Sequence, residues 1–250
     1  MTNFARMQSE FLQCTQMRMT WMDRFAFFST LDGVAVCVIV LSWWLIGWRI
    51  EHSGARRRST SQIMSDFRRE WMRQMITRQP RIFDAQVVAS LRQGTAFFAS
   101  TAVIALGGVF AVIGNSDRVA DIANDLTLME TPVFVWEIKL VILMLFLINA
   151  FLKFAWANRL FGYAAVVMAA VPNEVDDPLC DIRANQAAEV NIAAARSFNR
   201  GLRSIYFGLT SVAWLAGPIA LLLATAFTIA VIWRREFASQ SRTVLLGTQT

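Results

Sequence analysis

Long apolar runs limit what this chain can fold into more than any other feature. LDGVAVCVIVLSWWLIGW at 31–48 is nearly free of charge, and so is GTAFFASTAVIALGGVFAVIG at 94–114, the core of a span from about 87 to about 113. VFVWEIKLVILMLFLINAFLKF from 133 and GLTSVAWLAGPIALLLATAFTIAVI at 208–232 are similar. A helix needs about 20 apolar residues to cross the hydrocarbon layer, and each run approaches or exceeds that length. Inside a bilayer every backbone polar group must be satisfied within its own segment, so the runs are helices. The reading is all-α: a polytopic membrane helical bundle of about four transmembrane helices with cytosolic amphipathic helices. It divides into an amino-terminal extension at 1–30, a four-span membrane domain at 31–235 and a polar tail at 236–250.

The extension carries Met7, Met17, Met19 and Met22 among Phe11, Trp21 and Phe25, a composition suited to an interfacial helix. It holds no short apolar segment ending in a small-x-small cleavage site, so 31–48 reads as a retained span. Within 51–88, SDFRREWMRQMI places Phe67, Trp71 and Met75 at helical spacing, with Met64 just before it, and Pro80 ends that helix. The third run continues in helical character to about 171. One crossing with an aqueous or interfacial extension is favoured over a five-span alternative. Asp177-Pro178 opens the next helix. Pro218 is expected to kink the last span.

The net charge of +6 at pH 7 comes from loops beside apolar runs, which points to anionic headgroups rather than nucleic acid. Segments 51–88 and 172–208 hold twelve arginines and the connector 114–132 only Arg118. The basic loops are therefore expected to face the cytosol. With four spans both termini lie on the opposite, periplasmic side of a bacterial cytoplasmic inner membrane. Cys14, Cys37 and Cys180 form no CxxC pair, and His52 is the sole histidine, so no metal and no cofactor is expected. The acidic group Glu174, Asp176, Asp177 and Asp181 reads as a solvated helix start. No nucleotide-binding glycine pattern, GxSxG elbow or HExxH occurs.

Three stretches carry a family resemblance: VVASLRQGTAFFASTAVIALGG at 87–108, FLKFAWANRLFGYAAVVMAAVP at 151–172 and FNRGLRSIYFGLTSVAWLAGP at 198–218. In order and spacing the chain resembles the domain-of-unknown-function 599 family of membrane proteins. The resemblance implies a small multispan protein and no established reaction. Arg92, Lys153, Arg159, Asn191 and Arg203 match its polar pattern.

Lys153 follows an apolar run with Asn149 on the same helical face, a pattern that marks a pathway, a partner or a snorkelling anchor. Arg92, Arg159, Arg200 and Arg203 bracket the inner span ends, where guanidinium groups suit phosphate. With Asn149, Lys153 and Asn191 they form the candidate anion, lipid or partner contacts. Arg56, Arg57 and Arg58 form a surface basic cluster. No catalytic residue is assigned, and the partners expected are membrane phospholipids and a homo-oligomer or larger membrane complex. The leading function is a non-catalytic accessory or assembly subunit. The alternatives are a small oligomeric transporter or channel component and, behind it, a lipid-modifying enzyme.

Overall fold

The structure, a computed structural model, describes residues 27–54, 57–115 and 132–247. Residues 1–26 of the extension, Arg56 and most of the acidic connector lie outside the described residues. The described chain is predominantly helical and carries no strand.

Helix α1 (Thr30–Glu51) starts where Ser29 and Asp32 cap each other. The Asp32 amide donates to Ser29 Oγ at 3.1 Å and the Ser29 amide to Asp32 Oδ2 at 3.0 Å. Helix α2 (Thr60–Ile76) is capped by the buried Ser59, whose hydroxyl also donates to the Ile50 carbonyl at 2.9 Å. That bond ties α2 to the end of α1. Helix α3 (Ile82–Ile113) and helix α4 (Val133–Ala169) are long; α4 runs about 55 Å as one piece. Helix α5 (Leu179–Val212) begins where the Leu179 amide donates to Asp177 Oδ1 at 2.7 Å. Helix α6 (Pro218–Phe237) and the short α7 (Gln240–Leu245) complete the described elements. By length and composition α1, α3, α4 and the α6–α7 stretch are long and apolar enough to cross a membrane.

Helices α4 and α5 form an antiparallel hairpin, the backbone of the fold. Phe154, Ala157, Phe161, Ala164 and Met168 of α4 are buried, as are Ala184, Ala187, Ala188 and Ala194 of α5. Large rings on one helix meet small residues on the other, so the axes approach closely. Helix α3 packs along both halves of this hairpin, from Val88 near its turn to Val109 against Leu140 and Leu147; α2 covers the half nearer the turn and α1 and α6 the other half.

Helix α5 departs from the expected layout. Its last residues do not begin the final span. A 3₁₀ turn at Ala213–Ala216 and Gly217, at φ 113°, reverse the chain, and Pro218 is the first residue of a new helix. Gly217 occupies backbone space that other residues rarely enter, and proline at a helix start loses no hydrogen bond. Pro218 therefore starts a helix rather than kinking one. Residues 197–212, which read from sequence partly as a loop, run antiparallel to α4. Ser197 Oγ donates to the Lys153 carbonyl at 2.9 Å, and Asn149 Nδ2 donates to Ser204 Oγ at 2.6 Å. They also run antiparallel to α6, with Thr210 and Thr228 hydroxyls 2.6 Å apart.

The added pass changes the topology. The start of α1 meets the turn after α5, since Trp214 Nε1 donates to Asp32 Oδ1 at 2.7 Å. The end of α6 meets the end of α1 and the start of α2, since Thr60 Oγ1 donates to the Glu236 carbonyl at 3.1 Å. Five helical passes lie between those points, so the first and last long helices have their free ends at opposite ends of the bundle. Counting apolar runs alone puts these two ends together; they lie apart because α5 makes a pass along the bundle that hydropathy does not register.

Two further expectations shift. In α2 the buried face is Ile63, Met72, Met75 and Ile76, while Met64 and Phe67 point outward. In sequence the small residues Gly107 and Gly108 suggest close helix contact, yet a Cβ added at either would meet nothing within 4 Å among the described residues; the tight glycines are Gly201 and Gly208, on α5.

Candidate functional site

Every described lysine and arginine except Lys139 lies toward the Glu51 end of the bundle. The hub there is Glu51, the last residue of α1. Arg200 Nε donates to its Oε1 at 2.9 Å, a second Arg200 nitrogen reaches Oε2, and Arg203 Nη2 donates to Oε1 at 2.6 Å. Arg200 and Arg203 lie three apart on α5, on one face, so one carboxylate serves both. The Arg203 side chain is 8% exposed and Glu51 15%, which makes this a nearly dry ion pair.

Two cavities flank the hub, and Glu51 and Arg203 line both. The larger, about 410 Å³, lies between α2, α3, α5 and α6. Arg68, Arg196, Arg203 and Arg235 line it against Glu51 and Glu236. Glu236 is already engaged: it accepts from the Ser61 amide at 3.1 Å and from the Ser61 hydroxyl at 3.0 Å. A carboxylate at the first turn of α2 is where a helix favours negative charge, so Ser61–Glu236 is accounted for as a cap. Arg235 reaches the Tyr206 hydroxyl. Arg68 meets Asn191 Oδ1 and, among the described residues, no carboxylate. Burial pulls the Arg68 guanidinium below its ordinary value, though arginine stays charged. Asn191 is fully buried with its Nδ2 unpaired among the described residues. Arg69, one residue on, is instead pushed up by its hydrogen bond to Glu189 at 2.7 Å.

The second cavity, about 320 Å³, is a cleft between α1, α4 and α5. Trp43, Trp44, Gly47 and Trp48 form one wall, Asn149 and Lys153 the other, with Arg200, Arg203 and His52 at its end. Four of the residues singled out by sequence, Asn149, Lys153, Arg200 and Arg203, therefore meet in one place. Arg92 stands apart on α3, in a groove with Arg81 and Asp84. Arg159 is exposed on α4 and bonds Tyr163 one turn on. Asn191 supports Arg68 from behind. Arg57 lies 5.5 Å over the Trp233 ring, and Arg58 pairs with Asp66. Sequence reasoning misses Glu51, Arg68, Arg196, Arg235 and Glu236. Glu51 reads as a span exit, and nothing local announces an arginine 149 residues away.

Among the described residues no group of three or more His, Cys, Asp or Glu could hold a metal ion. The family model described as "Protein of unknown function, DUF599" matches residues 34–241. The chain belongs to this family. No curated protein and no solved structure matches it. The DUF599 match begins inside α1 and ends inside α7, so it takes in the Glu51 hub and both cavities. It also spans 87–108, 151–172 and 198–218, the stretches that carry the resemblance in sequence.

Proposed function

We propose that this DUF599 protein is a non-catalytic accessory subunit of a bacterial cytoplasmic membrane, with its basic end in the cytosol and an acidic group of a partner subunit seated in the larger cavity. The observation that carries this reading is the charge of Arg68 and Arg196, uncompensated among the described residues, in a cavity whose two carboxylates are already engaged. Met64, on the cavity wall, and Phe67 are exposed on α2. An apolar rim around arginine is the anatomy of a protein contact. Buried Ile39, Phe146, Phe207 and Leu221 fill the interior between the two ends, which weighs against a hydrated route through one copy. Glu236 serves as a helix cap, which weighs against Ser61 as a nucleophile.

The test is native extraction followed by mass measurement of the intact particle. The expected result is a stoichiometric foreign subunit with the wild-type chain, lost from Arg68→Gln and, at unchanged melting temperature, from Arg196→Gln. Arg196 is exposed, so its variant separates binding from folding. A homogeneous particle with no foreign subunit would overturn the accessory reading.

Orientation has its own test. A fluorescent reporter fused after residue 247 is expected to glow in the cytosol. A periplasmic phosphatase fused after residue 115, at the other end of α3, is expected to be active. The reverse pattern would contradict the inside-positive assignment.

A further inference from the structure

The smaller cleft differs from the larger cavity in what walls it, and its occupancy is independent of any partner subunit. Its polar end carries Lys153, Arg200 and Arg203 against one carboxylate, Glu51. Both arginines hold that carboxylate, and the Lys153 ammonium has no hydrogen bond or ion pair among the described residues. The positive charge is thus in excess and unspent. Its apolar wall is three indoles. Trp43 is held edge-on by Phe146 at a centroid distance of 5.7 Å, while Trp44 and Trp48 are 59% and 53% exposed. Trp48 also stacks on His52 at 5.4 Å.

The position of the cleft matters as much as its lining. Glu51 closes an apolar helix of bilayer length, so the cleft opens at the depth where hydrocarbon gives way to headgroups. Leu152 and Trp156 flank Lys153 on α4 and are exposed, which continues an apolar outer surface beside the opening. A freely soluble anion would have no use for indole walls, and a neutral amphiphile would leave the ammonium unmatched. One occupant satisfies both ends: an amphiphile with a phosphate and a net negative charge.

We propose that the cleft holds one anionic phospholipid, its phosphate against Lys153 and Arg200 and its glycerol and upper acyl chains along Trp43, Trp44 and Trp48. Lysine supplies a mobile ammonium that follows the phosphate, and Arg200 presents the edge of its guanidinium not taken by Glu51. Indole rings suit the glycerol level, where one side is wet and the other apolar.

Native mass spectrometry of the purified full chain tests this, with phosphatidylglycerol, phosphatidylcholine and inorganic phosphate titrated separately. The expected result is a single phosphatidylglycerol adduct that excess phosphatidylcholine does not displace. Lys153→Gln is expected to weaken it about tenfold, in line with loss of a charge-assisted hydrogen bond. Lys153→Arg should retain it, and Lys139→Gln, at the far end of α4, should leave it unchanged. Equal retention of both lipids by the wild type overturns the proposal, whether or not the variants fold. So does displacement of the lipid by millimolar inorganic phosphate, which would mark a free-anion site.

Discussion

Replacing Glu51 with glutamine is expected to lower the melting temperature of the detergent-solubilised protein by on the order of 10 °C. Glutamine keeps the shape and one acceptor oxygen but removes the charge. Arg203, 8% exposed, and its neighbour Arg200 then face each other's field without a counter-ion. Breaking a buried pair from one side costs about 3–5 kcal/mol, because the remaining charge stays desolvated. Exposed pairs elsewhere on the molecule, such as Arg73 with Glu70, contribute far less. The double variant Glu51→Gln, Arg203→Met removes both sides and should recover most of the loss. A circular-dichroism melt of the three proteins decides the matter: if Glu51→Gln melts within two or so degrees of wild type, the hub is not a structural ion pair.

Gly201→Val should prevent the α4–α5 hairpin from closing, and the chain should fail to accumulate in membranes. A Cβ at 201 would stand 2.7 Å from Phe154 Cε1, 2.9 Å from Cδ1 and 3.0 Å from Cζ. The Phe154 ring has nowhere to go: it is fully buried, 5.5 Å from Phe98 and 5.4 Å from Phe198 between ring centroids. Overpacking of this kind costs about 1–3 kcal/mol even when the backbone gives way, and valine adds two more carbons. Gly107→Ala is the matched control. Nothing described lies within 4 Å of its Cβ, and alanine favours helix over glycine by about 1 kcal/mol. That variant should accumulate at least as well as wild type. Similar behaviour of the two would show that the hairpin tolerates separation.

The contrast between these glycines shows what a one-dimensional reading reaches. Paired small residues at 107–108 look like a helix-packing motif, yet they face away from the described protein. Gly201 sits among arginines and carries no such mark, although an added Cβ there would meet the tightest contact of any described glycine. Apolar length announces α1, α3, α4 and α6 because those helices turn much of their surface outward: Ile104, Leu223 and Phe227 are exposed. Helix α5 is wrapped by protein on several sides, so its buried face is built largely of Ala, Ser, Gly and Thr rather than leucine. It accommodates Arg200 and Arg203 because Glu51 receives them. A helix shielded from lipid need not be apolar, and so it escapes a hydropathy scan.

The candidate site divides in the same way. Asn149 and Lys153 are legible as a pair four residues apart, and Arg200 and Arg203 as a pair three apart, because one helix brings each together. That α4 and α5 present these pairs to one cleft is tertiary information. So is the fate of Arg92, which shares their composition but lies on another face of the bundle.

The Glu51 hub sets an order on how the molecule is made. Its carboxylate leaves the ribosome 149 residues before Arg200, and Asp32 leaves it 182 residues before Trp214. At ordinary synthesis rates, on the order of ten seconds separates each acid from its partner. Throughout that interval α1 sits in the bilayer with an unanswered negative charge at its last residue and an unclaimed acceptor in its first turn. Helix α1 is therefore the first to be inserted and among the last to be seated, waiting for α5 to bring both contacts at once. Translation stopped before residue 200 would leave a charged, unpartnered first helix, the form that membrane quality-control proteases would have most time to find.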